Sequence, residues 1–186
     1  LNALDSATKI SLTGDVDIAQ VTAINSALAG NSGGLTSVEA GYVVTGNYAT
    51  VSNTSHAAAL TGATGGVKIT GTLDLATGLA AVALSGGQKT FTLSDTAAKL
   101  ITSTSAVVSA VDTVTTSAAA ITASQLNELI SKFGTKKLGG TLTVTDTPAN
   151  LTTLSSDAIS EATSFVISTG TASVSEFVSL KSTLKV

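Results

Sequence analysis

Cysteine is absent from this 186-residue chain, which removes disulfides, thiolate nucleophiles and Cys-ligated zinc together. Arginine is absent too, because all nine basic residues are Lys. Bidentate recognition of phosphate or carboxylate by guanidinium is therefore excluded, and nucleic acid is disfavoured as a partner. There is one Pro, no Trp and no Met, and aromatic residues make up only 3%. So few large side chains suit thin, regularly stacked layers better than one thick globular core. Charged residues are 11% of the chain, against about 25% in an ordinary domain. A hydrophobic share of 43% nevertheless argues against a charge-rich disordered tail. No apolar run approaches the roughly 18 residues of a membrane span, and the N-terminus lacks a signal-peptide layout. The chain opens on Leu1 rather than Met, as expected of a processed or excised piece.

What fills the chain is small and polar or small and apolar: Ser, Thr, Ala and Gly supply about 100 of the 186 residues. Within that bias, short β-type runs recur, each ending in Thr or Ser and followed by a turn or cap residue. They are Lys9-Ile-Ser-Leu-Thr-Gly14, Tyr42-Val-Val-Thr-Gly46, Val67-Lys-Ile-Thr-Gly71, Phe91-Thr-Leu-Ser-Asp95, Thr113-Val-Thr-Thr116, Leu142-Thr-Val-Thr-Asp146 and Phe165-Val-Ile-Ser168. A candidate helix start follows each run. Asp17 with Gln20, Thr122 with Gln125 and Ser173 with Glu176 read as capping boxes, in which the cap oxygen and the third-position side chain each satisfy a backbone N–H. Asn47, Thr96 and Thr147 occupy the same place, with Pro148 at the favoured first helical position, and Asp74 fits most loosely.

Caps at 17, 47, 74, 96, 122, 147 and 173 are spaced by about 26 residues, inside the window of repeat architectures. The units also alternate. In one kind the cap is flanked by an apolar pair (Val16 and Ile18, Leu73 and Leu75, Ala172 and Val174), whereas in the other the strand runs directly into the cap (Asp95-Thr96, Asp146-Thr147). The period is then a doublet of about 50 residues. Apolar stripes at Ile18, Val21, Ile24 and Leu28 and at Leu126, Leu129, Ile130 and Phe133 mark helices that cover one side of a sheet.

Strands alternating with short helices predict an α/β fold with a parallel sheet and right-handed crossovers. The expected architecture is a strand–helix solenoid, one repeat domain over 1–186, with units at 1–40, 41–66, 67–88, 89–111, 112–138, 139–163 and 164–186. Gly-rich segments at 30–34, 62–66, 86–87 and 139–140 close the turns between units. A single unit cannot bury enough apolar surface to offset its ordering entropy, so stability has to come from stacking. Leu1-Asn2-Ala3-Leu4 repeats the pattern of Leu126-Asn127-Glu128-Leu129, and Phe177, Leu180 and Leu184 complete a last helix with no polar capping unit after it. Uncapped ends predict end-to-end contact and a homo-oligomer or polymer.

Residues fit for chemistry are sparse. His56 has no carboxylate or serine in a catalytic arrangement and reads as structural or solvent-exposed. Gly14-Asp15-Val16-Asp17 pairs two carboxylates that could touch Ca²⁺, but a calcium loop needs more oxygen ligands at fixed spacing. No cofactor is expected. The glycine clusters lack a phosphate-cradling motif, and Lys132, Lys136 and Lys137 suit a helix end placed favourably for its dipole. Asn53-Thr-Ser55 and Asn150-Leu-Thr152 fit the glycosylation sequon. With no nucleophile, base and oxyanion set to assemble, the chain is read as non-enzymatic. One surface feature could bind a ligand: if Ile10 and Leu12 point inward, Ser11, Thr13, Thr92, Ser94, Thr113, Thr115, Thr143 and Thr145 form an outward ladder of hydroxyl and methyl groups. Such a ladder would suit polysaccharide or ice, although Thr is also simply a good strand former and Val43, Lys68 and Val166 interrupt the column.

Val144-Thr-Asp-Thr-Pro-Ala-Asn-Leu151, Leu93-Ser-Asp-Thr-Ala-Ala-Lys-Leu100 and Ala123-Ser-Gln-Leu-Asn-Glu-Leu129 resemble repeats in very long surface or secreted proteins of bacteria, particularly marine cyanobacteria. The resemblance covers essentially the whole chain, and the unit around Asn47 departs furthest from it. It implies an extracellular or cell-surface repeat region concerned with adhesion, surface coating or motility, with no catalytic residues to carry over.

Overall fold

The computed structural model describes residues 9–12, 14–29, 37–168 and 172–184. The Leu1–Leu4 segment, Thr13 and the glycines at 30–34 lie outside them. Strands and helices alternate throughout, and β2(Asp15–Asp17), β4(Val43–Asn47), β5(Gly66–Leu73), β6(Lys89–Asp95) and β7(Val111–Thr116) form a five-stranded parallel sheet in the order β2-β4-β5-β6-β7. Two further parallel pairs join β1(Lys9–Ile10) to β3(Ser37–Val38) and β8(Thr143–Asp146) to β9(Ser164–Ile167). By compactness the chain divides into Leu1–Thr92 with Ser109–Val111, and Leu93–Val108 with Asp112–Val186.

All seven caps form. Gln20, Thr50, Thr77, Lys99, Gln125, Asn150 and Glu176 donate their backbone N–H groups to the side chains of Asp17, Asn47, Asp74, Thr96, Thr122, Thr147 and Ser173. At Thr122 and Ser173 the reciprocal half of the capping box is present as well, with Gln125 Oε1 accepting from Thr122 N and Glu176 Oε2 from Ser173 N. Asp74, the loosest match in sequence, makes one of the shortest of these bonds at 2.8 Å. The unit around Asn47 also falls into register, with Val16, Val44 and Val67 facing one another across β2, β4 and β5.

The helices that follow the caps are of two kinds. After Asp17, Asp74, Thr122 and Ser173 comes one longer helix: α1(Ile18–Ala29), α4(Leu75–Val82), α7(Ala123–Phe133) and α10(Val174–Leu184). After Asn47, Thr96 and Thr147 comes a broken pair: α2(Tyr48–Val51) and α3(Ala57–Gly62), α5(Ala97–Ile101) and α6(Ser105–Ala110), α8(Pro148–Leu151) and α9(Ser156–Glu161). Each break has the same local chemistry. Ser52, Thr102 and Thr152 turn their hydroxyls back onto the carbonyls of Ala49, Lys99 and Ala149, offering the backbone an alternative to another helical turn.

In the first compact unit, Ile18, Val21, Val44, Val51, Val67 and Ile69 are buried, and Tyr42 donates its hydroxyl to Ala59 O at 2.8 Å beneath α3. Burial raises the Tyr42 pKa above its ordinary value. The glycine turns here stack backbone on backbone. A Cβ on Gly65 would lie 2.3 Å from Gly41 O, and one on Gly87 2.3 Å from Thr64 O, so neither turn admits a side chain. In the second unit Leu100, Leu126, Leu129, Val144, Leu151 and Ala158 are buried, each complete side chain contributing about 1.5–3 kcal/mol for the larger aliphatics. The predicted stripe on α7 is seated with Leu126, Leu129 and Phe133 buried and Ile130 half-buried.

Candidate functional site

The polar groups that could have carried chemistry are mostly engaged with backbone. His56 Nδ1 lies 2.8 Å from Thr50 O, and since a carbonyl only accepts, Nδ1 carries the hydrogen and ties the 3-10 turn at Thr54–His56 to α2. Asp17 accepts from Ala19 and Gln20 at the start of α1, while Asp15 pairs with Lys68 at 3.0 Å. Among the described residues, no group of three or more His, Cys, Asp or Glu is placed to hold a metal ion. Lys132 and Lys137, two of the three clustered lysines, donate to Ser103 O and Val108 O near the C-terminal ends of α5 and α6, where a cation meets the negative end of the helix dipole. The side chain of Lys136 lies outside the described residues. In the two sequons, Asn53 Oδ1 accepts from Ser55 and Asn150 Nδ2 donates to Asp146.

Two carboxylates occupy equivalent places at strand ends. Asp95 Oδ1 and Asp146 Oδ1 each accept the N–H of the capping threonine that follows, at 2.8 and 2.9 Å. Each also receives a side chain four residues on, an ion pair from Lys99 at 3.1 Å and an amide hydrogen bond from Asn150 at 2.7 Å. Asp146 Oδ2 reaches further, accepting the N–H of Ala123, first residue of α7, at 3.0 Å. Partial burial works to raise the Asp146 pKa, but the bonds from Asn150, Thr147 and Ala123 outweigh it and hold the carboxyl below its ordinary value. Beside it, Asn127 donates to Thr153 O and accepts from Ser155 N, both at 3.0 Å. These bonds clamp one strand–helix unit to the next.

The hydroxyl column is only partly open. Ser11 is exposed just beyond β1, and Thr13 lies outside the described residues. Thr92 and Ser94 on β6, Thr113 and Thr115 on β7, and Thr143 and Thr145 on β8 are all half-buried. A Cβ placed on Gly139 would fall 2.9 Å from the Thr113 methyl and 3.7 Å from that of Thr115, so the Gly139 turn lies against this part of the column. Thr143 Oγ1 spends its hydrogen bond on Ser164 Oγ at 2.9 Å, its partner in register on β9, and Thr145 faces the exposed Val166. In the first unit the column is crossed by the ion pair of Lys68 with Asp15.

Among the described residues, most of the exposed large apolar side chains lie at β9 and α10. Val166, Ile167, Val174, Phe177 and Val178 are exposed there. A groove of about 700 Å³ runs between α9, β9 and α10, with Ile159, Phe165, Phe177 and Leu184 in its walls. The meaning of this surface comes from equivalent positions. One residue past the cap, Ile18, Leu75 and Ala123 are buried, whereas Val174 is 83% exposed. Four residues past the cap, Val21, Gly78 and Leu126 are buried, whereas Phe177 is 60% exposed. Of the apolar residues expected along this last helix, Phe177 is exposed while Leu180 and Leu184 are buried. Val174 and Val178 are the part the sequence leaves unmarked, because an apolar residue beside a cap looks the same whether covered or bare.

No helix among the described residues is long and apolar enough to cross a membrane. Comparison with models of known protein families, with curated proteins and with solved structures finds no match to the chain. The fold itself therefore defines the class, an α/β protein with a parallel sheet and alternating strands and helices.

Proposed function

We propose that this chain is a structural, non-enzymatic repeat module of the extracellular or cell-surface kind. It forms or extends a fibre, coat or adhesin by stacking strand–helix doublets into a solenoid and by associating through the exposed apolar face of β9 and α10. The single observation that carries this reading is the contrast between Leu126 and Phe177. Four residues past the cap, Leu126 in α7 is fully buried whereas Phe177 in α10 is 60% exposed. Supporting it, His56, Asp17, Asp146 and Asn127 are all occupied in fastening backbone rather than converging on a reaction centre. An exposed apolar patch of this kind marks a protein contact, and repeat units that meet only their neighbours make length the adjustable property.

Light scattering with electron microscopy over a concentration series tests the reading. Association should rise with concentration, resist added salt because the face is apolar, and be lost in Phe177→Ser with Val174→Ser. A chain that stays monodisperse at every concentration overturns it.

A further inference from the structure

Inside the second compact unit the structure shows what covers a long helix of this type. After α7 comes a parallel strand, β8, ending in Asp146, then the Thr147-capped α8. The Asp carboxylate accepts Ala123 N–H, Ile121 bridges Val144, and Leu126 is sealed from solvent. In α10, Val174 stands where Ala123 stands in α7, one residue past its cap, Ser173. As the first residue of a helix it has no intrahelical acceptor for its N–H. Among the described residues β9 is paired on one side only, by β8. Strand edge, first amide and apolar stripe thus coincide on one face, as they do at the covered α7.

We propose that the face formed by β9 and α10 is a docking surface for one further strand–helix unit of the Asp–Thr kind: a parallel strand ending in Asp, followed by a Thr-capped short helix. Residues 142–161 are the chain's own example of such a unit. This rests on the reading of the protein as a stacking module and names the partner of its exposed apolar face. The continuity of the α7–β8–α8 interface argues for this occupant. A unit of the long-helix kind brings Val16, Leu73, Ile121 or Ala172 to the place before the cap, and so offers no carboxylate to the Val174 N–H. A second copy stacked by its first unit offers apolar contact but no carboxylate, since Val16 precedes Asp17 and Asp17 is already bound to α1, and so fits the face less completely than an Asp–Thr unit.

The test extends the intact chain after Val186 with a copy of residues 136–162, which keeps the spacing found after α7. A control carries a copy of the long-helix segment 113–133 instead. Hydrogen exchange is read at high dilution, with α7 as the internal reference for an intact fold. The Asp–Thr extension is expected to slow exchange at Val174 and through Phe177 by about tenfold or more and to abolish self-association. Replacing the appended Asp by Ala should return Val174 to fast exchange. The proposal is overturned if the Asp–Thr extension leaves these amides unchanged, or if the long-helix control protects them equally. It is overturned too if the extended chain still associates through this face, which leaves the stacking reading in place. Failure of the unextended chain to associate at any concentration strikes the stacking reading itself.

Discussion

The carboxylate of Asp146 accepts the backbone N–H of Ala123 across 23 positions of sequence, at 3.0 Å, and so ties the end of β8 to the start of α7. Ala123 is fully buried. Asp146→Ala leaves that N–H without its acceptor and removes the bonds to Thr147 and Asn150 as well. The expected loss is about 1–3 kcal/mol, read as a lower urea midpoint and faster exchange at Ala123.

The same carboxylate gives the protein an acid dependence of known sign. Its folded pKa lies below the ordinary value, and in the unfolded chain aspartate titrates near 3.9, an approximate reference. The stabilisation is therefore fully present above that unfolded value and is lost as pH falls through the lower, folded one. Urea titrations of the native chain and of Asp146→Asn should differ by a constant amount at neutral pH and converge in stronger acid. A difference that grows on acidification would contradict the assignment.

Glycines of two kinds should respond differently to alanine. Gly87→Ala forces a Cβ to within 2.3 Å of Thr64 O, a backbone atom in the preceding turn, and is expected to cost at least about 1–3 kcal/mol by overpacking. Gly134 ends α7 with φ +72 and open space around it. Gly134→Ala meets no clash and should cost only the strain of a backbone at φ +72 and ψ 165, a region essentially confined to glycine, about 1–3 kcal/mol. Thermal unfolding of the two variants measures the clash and the backbone strain separately.

Asn127 both donates to Thr153 O and accepts from Ser155 N. Asn127→Ala is expected to destabilise by about 1–2 kcal/mol, two net hydrogen bonds at a partly exposed site. Hydrogen exchange should quicken first in the segment from Thr153 to Glu161, which contains α9. An unchanged pattern there would show that apolar packing alone fastens α9 to α7.

How much of this was legible in the sequence follows from the physics of each element. The caps were, because a side-chain oxygen followed three residues later by Gln or Glu is a local rule that needs no tertiary information. Asp74 and Asn47, with Thr rather than Gln or Glu three residues on, still take the cap bond from a backbone N–H, at 2.8 and 2.9 Å. The parallel sheet was legible for the same reason, from strands alternating with helical stripes. The second short helices α3, α6 and α9 were not, since a helix-breaking hydroxyl at Ser52, Thr102 or Thr152 cannot be singled out where Ser and Thr are everywhere. Nor was the clamp at Asn127, whose partners lie 26 and 28 positions away. Thr92, Thr113 and Thr143 lie on strands, but alternation does not reveal that Gly139 comes to lie against Thr113.

The most direct test of the stacking account is light scattering with electron microscopy of the unaltered chain across a concentration series, beside Phe177→Ser with Val174→Ser. The account predicts concentration-dependent, salt-insensitive growth into regular assemblies for the first and a monomer for the second. A monodisperse monomer in both, or assembly unaffected by the substitutions, would contradict it.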